Sequence, residues 1–235
     1  EEKIIVATKF MPFPWRFRHT ALTNALDHSL ERLGLTQVDL YQIHWPAPPM
    51  PVDHWVEALA QAVESGKVKA AGVSNYNKTQ MQHAYSVLAK HNIPLTSNQV
   101  EYHLLNRTVE KNGLLDRCRE LGVRLIAYSP LAKGLLTGKY NAENPPPGIR
   151  AHQPGKLLKE LSGLLQVMTE IGQKHDGRTP SQVALNWVIC KGALPIPGAK
   201  NLRQAQENAG AMGWRLTEEE VAALDAASDR SLHSS

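Results

Sequence analysis

Cysteine is almost missing from this chain. Among 235 residues there are two, Cys118 and Cys190. They form no Cys-x-x-Cys spacing, so no disulfide framework and no cysteine zinc site is expected. Both read as reduced core thiols of a soluble protein inside the cell. No HExxH or comparable ligand spacing occurs, and His19, His28, His54, His83, His91, His103, His152, His175 and His233 read as solvated or helical residues. A metal site is therefore not expected. The net charge is only +4, and the lysines and arginines are scattered rather than clustered or interleaved with aromatics. That pattern argues against nucleic acid or a membrane surface as partner. No apolar run approaches the roughly 18 residues a membrane span requires. No signal or transit segment is recognisable. The chain opens on Glu1 rather than methionine, so it reads as processed or as starting within a longer protein.

What is present is ordinary globular composition, 42% hydrophobic and 20% charged. Apolar, β-branched-rich runs predict buried strands at Ile4–Thr8, Val38–Ile43, Val68–Val73, Thr96–Glu101, Arg124–Tyr128 and Ala193–Ile196. Helical periodicity fills the gaps, at His19–Leu33, Asp53–Glu64, Lys78–His91, Val109–Leu121, Lys156–Lys174 and Pro180–Lys191. Asp53 is a candidate cap of the second helix, and Thr179-Pro180 is a cap followed by a first-turn proline. Two short helices close the chain, at Leu202–Ala211 and Thr217–Ala227. The latter starts with the capping box Thr217-Glu218-Glu219-Glu220. A proline-rich loop, Asn144-Pro145-Pro146-Pro147-Gly148, interrupts the longest gap. With no polar low-complexity linker, the chain reads as a single domain over residues 1–235.

Strand–helix alternation with about thirty residues per unit implies a parallel sheet. A dinucleotide fold of the doubly wound type requires G-x-G-x-x-G after the first strand, and none exists. Gly134-Leu135-Leu136-Thr137-Gly138-Lys139 has too few residues between its glycines for a phosphate loop, and Tyr140 stands where Ser or Thr is required. A (β/α)8 barrel fits better, because polar residues collect at strand C-termini, where barrel chemistry sits. These are Lys9, His44, Ser74, Asn75, Gln99, Tyr128 and Ser129, with Gly198, Ala199 and Lys200 after the last strand. Six units are legible where a barrel has eight, so an incomplete barrel is expected.

In this order the strand ends and their surroundings resemble the aldo-keto reductase family. The blocks are ATKF, LERLGLTQVDLYQIHWP, SGKVKAAGVSNYN, SNQVEYHLLNR, ELGVRLIAYSPLAKGLLTGKY and LPIPGAKNLRQAQEN, from residue 7 to residue 208. Their wording looks most like plant-plastid and cyanobacterial members, which implies a cytoplasmic or plastid-stromal protein. The resemblance implies that these are strands three to eight of the barrel, without the first two βα units. It implies reduction of aldehydes or ketones to alcohols by hydride from NADPH.

The family's reaction uses an Asp, a Tyr, a Lys and a His. Lys9 and His44 match the last two, while no Asp-Thr-Ala…Tyr-Gly segment occurs in these 235 residues. By the same resemblance Lys9 lowers the pKa of the tyrosine so that it can act as a general acid. His44 donates a hydrogen bond to the substrate oxygen. Ser74, Asn75 and Gln99 supply donors and acceptors for a nicotinamide carboxamide. Tyr128 stacks on the nicotinamide, and Ser129 and Leu131 follow along the pyrophosphate. Gly198, Ala199 and Lys200 take the phosphates, with Lys200 reaching the adenosine 2′-phosphate and Gln204 and Asn208 facing the adenine. Some members carry arginine where Gln204 stands. Trp45, Trp15, Phe13 and Met11 either wall a carbonyl-substrate pocket or cap the core. Two rival functions share these residues: a redox-sensing subunit of the same fold that holds NADPH with little turnover, and a Schiff-base lyase using Lys9.

Overall fold

The computed structural model of the chain describes residues 4–46, 50–140, 144 and 155–233. It divides into two compact units, one of residues up to Val100 with Val109–Leu125, the other of Glu101–Thr108 with Ile126 onward.

The first unit holds four parallel strands in sequence order: β1 (Ala7–Phe10), β2 (Val38–Ile43), β3 (Val68–Ser74) and β4 (Leu95–Glu101, whose last residue belongs to the second unit). Helices α1 (Thr20–Leu33), α2 (Val52–Glu64) and α3 (Lys78–Lys90) alternate with them. Leu22, Leu26 and Leu30 recur at helical spacing and are buried, so α1 presents one apolar stripe. It stops at Gly34, whose left-handed φ of 65° lets its N–H close back on the last turn. Asn77 and Gln80 form a reciprocal capping box that starts α3.

Three expectations are corrected in this unit. β1 begins at Ala7, not Ile4, because pairing with β2 starts there (Ala7 opposite Leu40) and leaves Ile4 and Ile5 83% and 72% exposed. Lys9 therefore lies inside a paired strand, opposite Gln42. Asp53 does not cap α2: Pro51 holds that position without a side-chain bond, and the Asp53 carboxylate contacts His83 on α3. The helix expected over Val109–Leu121 is broken at Gly113, φ 72°, into α4 (Thr108–Lys111) and α5 (Leu114–Glu120).

Pairing register places Lys9, Gln42, Gly72 and Ser97 in one row across the four strands, on a shared face. Gln42 and Ser97 are both buried and joined: Gln42 Nε2 donates to Ser97 Oγ and to the Val73 carbonyl, each at 3.2 Å. Only glycine fits between them. A Cβ on Gly72 would fall on Ser97 Oγ and come within 2.9 Å of Gln42 Cγ. Gly72→Ala is expected to lower stability by about 1–3 kcal/mol through overpacking and the displaced amide bond. Urea denaturation followed by circular dichroism reads this, and an unchanged midpoint would show that the row can move apart at no cost.

The second unit contains the end of β5 (Arg124–Tyr128), a 3-10 turn at Ala132–Thr137, α6 (Gly155–Lys174), α7 (Pro180–Cys190), β6 (Leu194–Ile196), α8 (Leu202–Ala209) and α9 (Glu218–His233). β5 and β6 are parallel, with Tyr128 opposite Ile196. The expected caps hold: Thr179 boxes with Gln182 ahead of Pro180, and Thr217 with Glu220. Asp225 of α9 ties the helix to α7, accepting from Trp187 Nε1 at 2.9 Å and from Lys191 Nζ at 2.8 Å. β6 is shorter than expected and α9 longer. The proline-rich stretch from Pro145 lies outside the described residues.

Among the described residues no helix is long and apolar enough to cross a membrane, and no group of His, Cys, Asp and Glu is arranged to hold a metal. Cys118 is buried against Met81, and burial pushes its thiol up to about 12. Cys190 is half-buried.

Candidate functional site

The first unit brings Lys9, His44, Ser74, Asn75 and Gln99 to neighbouring strand ends. β1 carries Lys9, and the His44 N–H donates to the Phe10 carbonyl at 2.9 Å, extending the β1–β2 ladder by one bond. Ser74 ends β3 opposite Gln99 of β4. Three bonds lock this rim. Ser74 Oγ donates to the Gln99 carbonyl at 2.8 Å, the Asn75 N–H donates to the same carbonyl at 2.9 Å, and Asn75 Nδ2 donates to the His44 carbonyl at 3.1 Å. Asn75 achieves this with φ 62°, a left-handed geometry that asparagine tolerates better than most residues.

The Lys9 ammonium donates to Gln99 Oε1 at 3.3 Å. Burial pushes its pKa below the usual lysine range. His44 is pushed down too, first by burial and then by the positive charge of Lys9, so the imidazole is neutral near pH 7. A neutral imidazole, an ammonium and buried amide and hydroxyl groups thus converge where an oxygen acquiring negative charge can be met by donors.

Trp15 and Trp45 are 69% and 44% exposed, so they do not cap the core. Trp15 stacks flat on Phe13, ring centroids 4.7 Å apart, and Trp45 lies against His44 at 6.4 Å. The Arg16 guanidinium sits over both Phe10 and Phe13.

Within the second unit, Tyr128 ends β5 half-exposed, its hydroxyl raised by burial and then by the Glu101 carboxylate. The chain then turns through left-handed conformations at Ser129, Ala132, Lys133 and Gly134, with Leu131 between them accepting from Gly134 N–H at 2.9 Å. After β6, Gly198, Ala199 and Lys200 are exposed and lead into α8, capped by Asn201. Gln204 Oε1 accepts from the Lys200 N–H at 2.7 Å, and Asn208 Nδ2 donates to the Gly198 carbonyl at 3.4 Å. The two amides therefore brace this loop from within. A Cβ on Gly198 would meet nothing within 4 Å, so the loop's outer side is open.

Two of the histidines that read as solvated or helical, His91 and His103, have side-chain partners. His91 places one ring nitrogen 2.7 Å from Glu57 and the other 2.9 Å from Glu64, and these carboxylates raise its pKa. His103 is buried, its Nδ1 accepts from the Leu105 N–H, and its Nε2 faces Glu101 at 3.5 Å. Buried Gln42 also escaped sequence reading. Strand alternation could have found it, since it precedes His44 by two residues in VDLYQIHWP.

The family model for the aldo/keto reductase family matches residues 1–229. The chloroplastic pyridoxal reductase of Arabidopsis thaliana is 41% identical over 235 residues, which is 98% of this chain and 64% of that protein. The glycerol dehydrogenase of Gluconobacter oxydans superposes with a TM-score of 0.81 at 29% identity, covering 92% of this chain and 65% of that one. The aldo/keto reductase of Klebsiella pneumoniae, solved with NADP and acetate, gives 0.74 at 30% identity, covering 95% and 69%. The chain thus spans somewhat less than two thirds of the length of the plant relative.

Proposed function

The chain belongs to the aldo/keto reductase family, and on that premise we propose that its site serves the NADPH-dependent reduction of aldehydes or ketones to alcohols. The observation that carries the reading is the joined rim of the first unit, where Lys9, His44, Ser74 and Gln99 occupy the ends of four adjacent parallel strands. We read the chain as one aldo-keto reductase domain built on the family's (β/α)8 plan. The NADP named with the Klebsiella structure and the aldehyde named by the plant reductase support the cofactor and the substrate class.

Each unit, taken by itself, carries residues that suit a part of the nucleotide. Buried Ser74 and Gln99, with half-buried Asn75, form a donor-and-acceptor set suited to a carboxamide. In the second unit, Tyr128 offers an aromatic face, Ser129 and Leu131 a path for the pyrophosphate, and Gly198, Ala199 and Lys200 an open loop with a cation, braced by Gln204 and Asn208. When bound, NADPH supplies the hydride. His44, held neutral, donates a hydrogen bond to the carbonyl oxygen, and Lys9 places positive charge beside the oxygen as it becomes anionic. Trp45 and Trp15 offer apolar faces to the rest of the substrate.

Calorimetric titration of the chain with NADPH tests the reading. Saturable binding is expected, weakened about tenfold by Gln99→Leu, which removes the side-chain amide. No saturable binding, or equal binding by the variant, would remove the assignment.

A further inference from the structure

β3 and β4 do not pair evenly. Ala71 lies opposite Leu95, but Gly72 lies opposite Ser97, so one residue of β4, Thr96, is taken up in a slip. Beyond it the pairing is regular, Val73 with Asn98 and Ser74 with Gln99. A one-residue slip exchanges the faces of all the side chains that follow. Had Ala71 and Leu95 set the register throughout, Ser74 would stand beside Asn98, and Gln99 would point away from the face that carries Lys9. Instead Asn98 takes the opposite face, where it is fully buried and its Nδ2 donates to the Tyr76 carbonyl at 2.9 Å. Gln99 takes the site face, and its Oε1 accepts from the Lys9 ammonium at 3.3 Å.

Gln42 spans that slip. It stands opposite Lys9 on β2, two residues before His44. Its Nε2 donates to the Val73 carbonyl on β3 and to Ser97 Oγ on β4, each at 3.2 Å. Ser97 is the first residue of β4 past the slip, and Val73 follows Gly72, its partner on β3. One buried amide thus holds both strands just where the regular pairing resumes. Gly72 leaves the room for it, since a Cβ there would fall on Ser97 Oγ. In any other register the amide would lose these acceptors, and a buried amide without partners is costly. We propose that Gln42 is a positioning residue of the site: its amide fixes the slip that presents Gln99, in place of Asn98, to Lys9 and to a nicotinamide carboxamide. The carboxamide part rests on the reduction reading, and the register part does not.

Gln42→Met keeps the side chain's length and removes both donated bonds. In the nucleotide-free chain, amide hydrogen exchange is expected to rise about tenfold at Asn75, whose N–H donates to the Gln99 carbonyl. It should change by less than about twofold at His44, whose N–H pairs β2 with β1. Calorimetry should show NADPH binding weakened about fivefold, and binding of 2′-phospho-ADP-ribose, which lacks the nicotinamide, changed by less than about twofold. In a Gln99→Leu background Gln42→Met should add less than about twofold, because it acts through Gln99. A general loss of structure would instead weaken both nucleotides and add to Gln99→Leu. Ser97→Ala removes one of the two bonds. It is expected to move the same readings in the same direction by less, and it carries the test if Gln42→Met does not fold by circular dichroism. Unchanged exchange at Asn75 in the folded variants would overturn the hold of Gln42 on the slip, and equal weakening of the two nucleotides would overturn its role at the carboxamide. Should the unsubstituted chain fail to bind NADPH, the reduction reading falls, and the exchange result alone decides whether Gln42 holds the slip.

Discussion

Preceded by a segment that sets a tyrosine hydroxyl beside Lys9, the 235-residue polypeptide is expected to oxidise NADPH with 4-nitrobenzaldehyde at least about a thousandfold faster than the polypeptide alone. The expectation follows from what the first unit contains. Lys9 and His44 supply charge and a hydrogen bond, but neither is well suited to deliver the proton the alkoxide needs. The unit's own tyrosines do not serve. Tyr41 and Tyr76 are fully buried, with hydroxyls raised by that burial, and Tyr85 lies on α3, away from the strand ends. Positioned acid catalysis contributes about 10²–10⁴ in rate. The acid also needs its partner: an ammonium favours the phenolate and so makes the hydroxyl a better donor near neutral pH. The Arabidopsis pyridoxal reductase, 41% identical, is the natural donor of the two leading βα units that the family resemblance implies. Joining them to Glu1 makes the comparison, and the same extension with phenylalanine for the tyrosine isolates the acid from the fold. Equal rates for the polypeptide alone and its extension would mean that the acid is among the residues already present.

How far the sequence carried the structure depends on the physics behind each signal. β2 and β5 were legible to the residue because their apolar, β-branched runs are bounded by charge and turn residues. β1 was misplaced by three residues. Ile4 and Ile5 look like core, but their exposure follows from where β2 offers a partner, which hydropathy does not encode. The break at Gly113 was overridden by the apolar period around it, although a left-handed glycine inside a helical pattern marks an end. The placement of Lys9, His44, Ser74 and Gln99 at neighbouring strand ends was legible, because each polar residue closes or follows an apolar strand run in the sequence. The partners were not legible. That Gln99 takes the Lys9 ammonium, that Ser74 and Asn75 spend donors on neighbouring backbone, and that Gln204 and Asn208 brace their own loop all depend on register and rotamer. The clamp of His91 between Glu57 and Glu64 also joins residues far apart in sequence, which helical periodicity cannot pair.

Lys200→Glu is expected to weaken NADPH binding about ten- to a hundredfold while changing NADH binding by less than about threefold. The two nucleotides differ only in the 2′-phosphate, so a residue that reads it must discriminate between them. A charge-assisted contact to such a group is worth about 1.5–3 kcal/mol, which gives the expected ratio. The loop supports the assignment. Its backbone is fixed by Gln204 Oε1 on the Lys200 N–H and by Asn208 Nδ2 on the Gly198 carbonyl, so the position of Lys200 is set before any ligand arrives. Its side chain is exposed at the start of α8, where Asn201 caps the helix and the first-turn N–H groups add positive potential. Carboxylate in place of ammonium converts attraction into repulsion of a doubly charged group without disturbing those backbone bonds. Because the contact is solvent-exposed, the discrimination should shrink as salt is raised from 50 to 500 mM, roughly from a Debye length of 14 Å to one of 4 Å. Calorimetry with both nucleotides at the two salt concentrations reads both effects. Equal loss for NADPH and NADH would show that Lys200 does not meet the 2′-phosphate, and Arg203, in the first turn of α8 and also exposed, would be the cation to substitute next.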